Sequence, residues 1–167
     1  MLAFVWQRGP LTAYEIAKPF AESPSSYWSG SAGAIYPLVR RLETKGMLQG
    51  ENTKWNSRSK RTFTLTPAGL EELRKWLSPP FTSDVGASSF DPIRTRVGFI
   101  EALPIRTRKR FVEDAERVVR EQLERLESIH AEEIAQERKL DALVTLGAIH
   151  ELRSRLTWLL EVRKELL

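Results

Sequence analysis

Between Ser29 and Leu48 the chain reads Ser-Gly-Ser-Ala-Gly-Ala-Ile-Tyr-Pro-Leu-Val-Arg-Arg-Leu-Glu-Thr-Lys-Gly-Met-Leu, a helix marked at both ends. Ser31 is placed to cap its start by accepting a hydrogen bond from a free N–H of the first turn. Gly46 supplies the left-handed residue that stops it. Ile35, Leu38, Val39 and Leu42 recur at three- and four-residue steps, so one face is apolar and must lie against other structure. The opposite face carries Gly33, Tyr36, Pro37, Arg40, Arg41 and Thr44, with no acid. Such a helix suits a DNA groove, but taken alone it is equally an ordinary surface helix. Its neighbours decide.

Upstream, residues 2–7 read as a short apolar helix that starts abruptly at Met1, as if the true beginning lay further upstream; Arg8-Gly9-Pro10 breaks it. Leu11-Thr12 opens a second helix, with Thr12 as N-cap and Glu15 completing a capping box. Ile16 and Phe20 give it an apolar face, and Pro19 keeps it short. A loop through Ser23-Pro24-Ser25-Ser26 and an aromatic pair, Tyr27-Trp28, lead into the central helix. Downstream of Gly46 the period changes from 3.6 to 2. Residues 47–51 and 61–65 form two strands, joined by a polar, basic loop over 52–60. Thr66-Pro67 then restarts a helix, with Leu70, Leu73, Trp76 and Leu77 on its buried side.

Charge follows the same division. Residues 1–80 hold eleven Lys/Arg against six Asp/Glu, whereas the remainder holds fifteen against sixteen. The basic excess therefore lies in the half that contains the central helix, as expected of a surface facing a polyanion. There is no cysteine, which removes disulfides and thiolate metal sites. No apolar run approaches the ~18 residues of a membrane span and no leader pattern is present, so a cytoplasmic protein without a membrane partner is expected.

After Ser78-Pro79-Pro80 the sequence to Phe90 reads as a linker, giving domains at 1–78 and 91–167 separated by 79–90. Asp91-Pro92 opens a helix through Ile93, Val97, Phe99 and Ile100, stopped by Pro104. A long helix runs from Thr107 towards Arg138, with Phe111, Ala115, Val118, Gln122, Leu126 and Ile129 on its inner face. Another follows from Leu140, with Leu143, Leu146, Ile149, Leu152, Leu156, Leu159 and Leu166 at helical spacing. Two long helices with narrow apolar stripes call for partners. Val118, Leu126, Ile129, Leu152, Leu156 and Leu159 are accordingly the expected dimer contacts.

Three helices, a hairpin and a fourth helix describe a winged helix-turn-helix, so the fold class is mainly α with a small β-hairpin, followed by an α-helical dimerisation domain. Leu11-Thr-Ala-Tyr-Glu-Ile, Tyr27-Trp-Ser-Gly-Ser-Ala-Gly-Ala-Ile-Tyr-Pro-Leu-Val-Arg-Arg-Leu-Glu, Lys45-Gly-Met-Leu and Leu65-Thr-Pro-Ala-Gly together resemble the PadR family of transcriptional regulators over residues 1 to about 77. The later Asp91-Pro-Ile-Arg and Leu156-Thr-Trp-Leu-Leu-Glu are similar to the family branch with the longer, virulence-activator-like helical C-terminus. The resemblance implies a homodimeric repressor on a pseudo-palindromic operator. It also implies an effector, a small aromatic molecule for which Phe81, Phe90, Phe99, Phe111 and Trp158 are candidate contacts, although each also reads as core.

For duplex DNA as partner, Ser31, Ala34, Tyr36 and Arg40 are the candidate groove contacts, with Arg40 suited to a bidentate guanine contact. Arg58, Lys60 and Arg61 fall where the family carries its basic wing residues, and Lys54 and Trp55 share that loop. Tyr14 and Lys18 are placed to hold phosphate. No enzyme is expected. His150-Glu151 begins an HExxH pattern, but Ser154 stands at the second ligand position, and no nucleotide-binding or nucleophile motif is present. No cofactor or metal is expected. The competing reading is a dimeric interaction module that docks a protein through the winged helix, and salt dependence separates it from DNA binding.

Overall fold

The structure, a computed structural model, describes residues 1–22, 32–55, 58–87 and 90–166, with the backbone alone at 32–33, 53–55 and 58–59. The chain divides into two compact units, Met1–Ala87 and Ser88–Leu167.

In the first unit, α1 (Leu2–Arg8) ends at Gly9, whose φ of 81° only glycine adopts without strain. β1 (Leu11–Thr12) leads into α2 (Ala13–Ala21). The expected capping box is present: Thr12 Oγ1 accepts from the Glu15 N–H at 3.2 Å, and Glu15 Oε2 accepts from the Thr12 N–H at 2.7 Å. α3 (Ala32–Thr44) closes with Gly46 N–H donating to the Glu43 carbonyl and Met47 N–H to the Leu42 carbonyl, a Schellman turn in which Gly46 has φ 69°. β2 (Leu48–Trp55), β3 (Arg58–Leu65) and α4 (Pro67–Leu77) follow.

Two readings need correction. Leu11–Thr12 opens α2 as expected, but it also adds a strand beside β3, with Leu11 opposite Phe63, so the sheet has three strands in the order β1-β3-β2 and not the two of a hairpin. The polar stretch 52–60 is not an open loop. β2 and β3 stay paired from Leu48 opposite Leu65 out to Trp55 opposite Arg58, because main-chain ladder bonds need no apolar side chains. Only Asn56 and Ser57 remain between the strands, and they lie outside the described residues.

Val5, Ile16, Ile35, Val39, Leu48 and Phe63 form the core of this unit, so α1, α2, α3 and the sheet share one apolar centre. α4 clamps the far end of α3. Thr66 Oγ1 donates to the Gly46 carbonyl at 2.6 Å and accepts from the Gly69 N–H at 3.0 Å, while the Thr66 N–H donates to the Met47 carbonyl. Gly69 is needed there, since a Cβ would lie inside van der Waals contact of the Met47 carbonyl oxygen.

In the second unit, α5 (Pro92–Val97) and a 3-10 turn (Ile100–Ala102) precede α6 (Ile105–Ala135) and α7 (Lys139–Leu166). Asp91 caps α5 as expected, through Ile93 N–H at 2.8 Å and Arg94 N–H at 3.2 Å, and its other oxygen pairs with Arg155 of α7 at 2.7 Å. α5 ends at Val97, short of the expected Ile100. α6 and α7 form an antiparallel hairpin, cross-linked by Glu116–Arg163 at 2.9 Å and Glu127–Arg153 at 2.7 Å. The inner face of α6 is Val112, Ala115, Val119 and Leu126, one residue out of phase with the expected Phe111 and Val118.

Candidate nucleic-acid interface

The scaffold turns one side of α3 outward. Ile35 and Val39 are buried and Leu42 packs against the same core, so Ala34, Tyr36, Pro37, Arg40, Arg41 and Thr44 are exposed. Tyr36, Arg40 and Thr44 stand in one row at four-residue steps, and Pro37 and Arg41 form a second row beside it. The helix carries one acid, Glu43. It does not face this surface freely, because its Oε1 is held 2.5 Å from Arg61 Nη2 on β3. Gly50 makes that pair possible: a Cβ on it would meet the Glu43 carboxylate and lie 2.7 Å from Arg61 Nη2. The outward side of α3 is therefore cationic and phenolic without a competing carboxylate, and Lys45 continues it past the helix end.

Arg61 itself belongs to the scaffold. Besides Glu43 it donates to Asn52 Oδ1 at 3.0 Å and lies over the Phe63 ring at 5.8 Å. Expected among the basic wing residues with Arg58 and Lys60, it also tethers α3 to the sheet. Lys60 reaches back to Glu15 of α2 at 3.5 Å, but both side chains are exposed, and such a pair holds weakly. The backbones of Lys54, Trp55 and Arg58 lie in the outer part of the hairpin, while their side chains lie outside what is described. Ser31 also lies outside the described residues. Tyr14 and Lys18 are exposed one turn apart on α2, with Lys18 3.7 Å from Glu22.

Glu15 is the junction between α2 and the sheet. The Thr12 N–H chiefly, then the Thr12 hydroxyl and more weakly Lys60, hold its carboxyl below its ordinary value of 4.5. A depressed carboxyl contributes its full stabilisation above the unfolded-state value and loses it as pH falls through the folded one. Glu15→Gln keeps a capping-box residue but removes the charge. The variant is expected to lose less stability than the parent between pH 7 and pH 3 in urea titrations; equal losses would contradict this role.

Residues 1–75 match the Transcriptional regulator PadR-like family. The N-terminal unit is a PadR-family domain. Within it, 72 residues are 32% identical to the negative transcriptional regulator PadR of Bacillus subtilis, covering 42% of this chain and 40% of that regulator. The matched stretch thus spans less than half the length of that relative. Solved structures extend the likeness in fold. The B. subtilis PadR structure in complex with operator DNA aligns with a TM-score of 0.84 at 22% identity over 99% of this chain and 96% of that one. The same protein in complex with p-coumaric acid aligns at 0.77 and 21% identity, over 99% and 95%. A PadR-like regulator from Bacillus cereus aligns at 0.68 and 22%, over 99% and 92%. The mainly helical architecture, a winged helix with a helical C-terminal region, is shared with these PadR structures.

Beyond the PadR-family unit, the expected dimer stripe sits elsewhere. Leu126, Leu152 and Leu159 are buried between α6 and α7 of the same chain, and Ile129 and Leu156 pack against that cluster. Of the six, Val118 alone is exposed. The reason is the hairpin: each helix hides its stripe on the other. Apolar surface remains exposed at Ile134, Leu140, Leu143 and Val144, where α6 turns into α7, and at Leu160. Of the aromatic candidates, Trp158 packs on the α6–α7 core and Phe111 lines a groove of about 590 Å³ with Leu103, Thr107 and Arg110. Phe81, Phe90 and Phe99 are exposed. Among the described residues no group of acids and histidines could hold a metal ion, and no helix is long and apolar enough to cross a membrane.

Two further cations belong to the outward surface. The sequence places Arg41 on this face of α3 without naming it a groove contact, and Lys45 stands just beyond the helix end. Their signal in the sequence is charge: Arg41 adjoins Arg40 on a helix whose only acid, Glu43, is engaged from β3, and Lys45 follows that helix directly.

Proposed function

We propose that this chain is a sequence-specific, DNA-binding transcriptional repressor that acts as a cytoplasmic homodimer on a pseudo-palindromic operator. The observation that carries the reading is the outward side of α3, where Tyr36, Arg40 and Arg41 are exposed and the helix's single carboxylate is engaged by Arg61. A rigid core of Ile35 and Val39 behind that surface fixes its direction, as insertion into a major groove requires. Arg40 reads a guanine through O6 and N7, while Tyr36, Arg41, Lys45, Tyr14 and Lys18 hold phosphates and set the register. The outer hairpin, with Lys54, Arg58 and Lys60, lies along the backbone beside it. The relative bound to operator DNA supports this reading by its fold, and the curated relative is named a negative regulator.

The second copy docks on the α6–α7 turn, where Ile134, Leu140, Leu143 and Val144 present apolar side chains to solvent. A two-fold symmetric operator offers each copy's α3 one of two half-sites about 34 Å apart. Replacing Leu143 and Val144 together by Glu is expected to yield a monomer with an unchanged far-UV spectrum in light-scattering chromatography; a persistent dimer would place the interface elsewhere. The effector in this reading is a small aromatic molecule, which the complex of the structural relative with p-coumaric acid supports. The test of the whole reading is binding of the purified protein to an inverted repeat in the DNA upstream of its coding region.

A further inference from the structure

The near-neutral charge of the second unit conceals a strong polarity. Residues 92–110 hold Arg94, Arg96, Arg106, Arg108, Lys109 and Arg110 against the single acid Glu101. Residues 111–167 hold nine Lys/Arg against thirteen Asp/Glu. The basic excess is thus concentrated in α5, the start of α6 and the turn between them.

These cations are not equivalent. Arg108 is fixed to the protein, donating through Nε to the Leu103 carbonyl at 2.8 Å and through Nη2 to the Glu101 carbonyl at 2.9 Å. Arg96 donates to the Pro92 carbonyl at 3.1 Å. Lys109 stands 4.0 Å from Glu113, a weak pair between exposed groups. Arg106 and Arg110 are exposed and make no hydrogen bond or ion pair among the described residues. Arg106, Lys109 and Arg110 fall at i, i+3 and i+4, so their side chains rise from one face of α6.

That placement works against the protein's own stability. Like charges at these spacings repel, and positive charge in the first turns of a helix opposes its macrodipole. No acid in the first turn of α6 offsets them.

We infer that Arg106, Lys109 and Arg110 contact the phosphate backbone of duplex DNA outside the base pairs read by α3. This rests on the DNA-binding reading above and extends the footprint to the second unit. DNA is the favoured partner because the chemistry matches a polyanion, with guanidinium groups that bond phosphate oxygens in pairs. It is also the partner that an operator-bound first unit holds at high local concentration through the covalent link. An acidic protein is the other occupant, and the test separates the two.

The experiment uses the full chain and two duplexes from the DNA upstream of its coding region. One is trimmed to the inverted repeat, about two helical turns; the other extends about one and a half turns further on each side. Affinity is measured against salt for the parent and for the triple variant Arg106→Ser, Lys109→Ser, Arg110→Ser. The parent is expected to bind the extended duplex more tightly and with a steeper salt slope. The variant is expected to bind the trimmed duplex as the parent does, which also certifies its fold. On the extended duplex it should lose the advantage, its slope shallower by about 0.9 for each phosphate contact removed. Equal slopes for parent and variant on the extended duplex, with the trimmed duplex still bound, overturn the inference alone and point to a protein partner. A parent that binds neither duplex overturns the DNA-binding reading and this inference with it.

Discussion

Replacing Gly69 by Ala is expected to unfold the first unit at a temperature about 10 °C lower, a loss of about 2 kcal/mol. Elsewhere in a helix this substitution is favourable by about 0.5–1 kcal/mol, because glycine pays more backbone entropy. Here the new methyl group meets the Met47 carbonyl oxygen, which is main chain and cannot rotate away. That carbonyl also accepts from the Thr66 N–H, so relief of the clash breaks the junction that fixes the end of α3 and the start of β2. DNA affinity is expected to fall together with stability, since the same turn sets the exit of α3. Calorimetry of the parent and variant checks the first expectation. An unchanged transition would mean that α4 does not clamp α3.

The second large effect is on binding. Arg40→Ala is expected to reduce operator affinity by at least tenfold and to relax base preference at one position of each half-site, since a bidentate guanine contact contributes about 1–3 kcal/mol of discrimination per site. Arg40 is exposed and takes no part in the core, so the variant should keep the thermal stability and oligomeric state of the parent. Arg61→Ala is the instructive contrast. It removes the partner of Glu43 as well as the bond to Asn52, frees a carboxylate beside the groove-facing surface, and should weaken binding to every sequence alike.

These contrasts bear on what the amino-acid sequence discloses. Signals that act over three or four residues were legible: Thr12 with Glu15, the Gly46 stop, Thr66-Pro67 and Asp91-Pro92 all appear as read, because each is a side chain serving a main-chain group next to it. What escaped was set by partners far along the chain. A two-residue strand at Leu11–Thr12 exists only because β3 lies beside it. The polar outer hairpin is strand because its two halves pair with each other. The phase of α6 differs from the expected one where apolar residues come in doublets, Phe111-Val112 and Val118-Val119, because periodicity fits either member. For the same reason the leucine stripes of α6 and α7 suggested a partner chain when each was the other's partner.

The candidate site divides along the same line. Arg40 and Tyr36 were legible because their exposure follows from helical phase against Ile35 and Val39. Arg61 was indistinguishable in sequence from a DNA-facing cation. Glu43 lies eighteen residues before it, and only the fold of the sheet against α3 brings the two together.

The central claim is that the cationic side of α3 reads duplex DNA. Its most direct test is the affinity of the purified full chain for the inverted repeat upstream of its coding region, measured across salt concentrations for the parent and Arg40→Ala. The expected result is specific binding by the parent whose logarithm falls steeply and linearly with the logarithm of salt, and in the variant at least tenfold weaker binding with base preference relaxed at one position of each half-site. Binding that is indifferent to salt, or a variant that retains the parent's specificity, would contradict it.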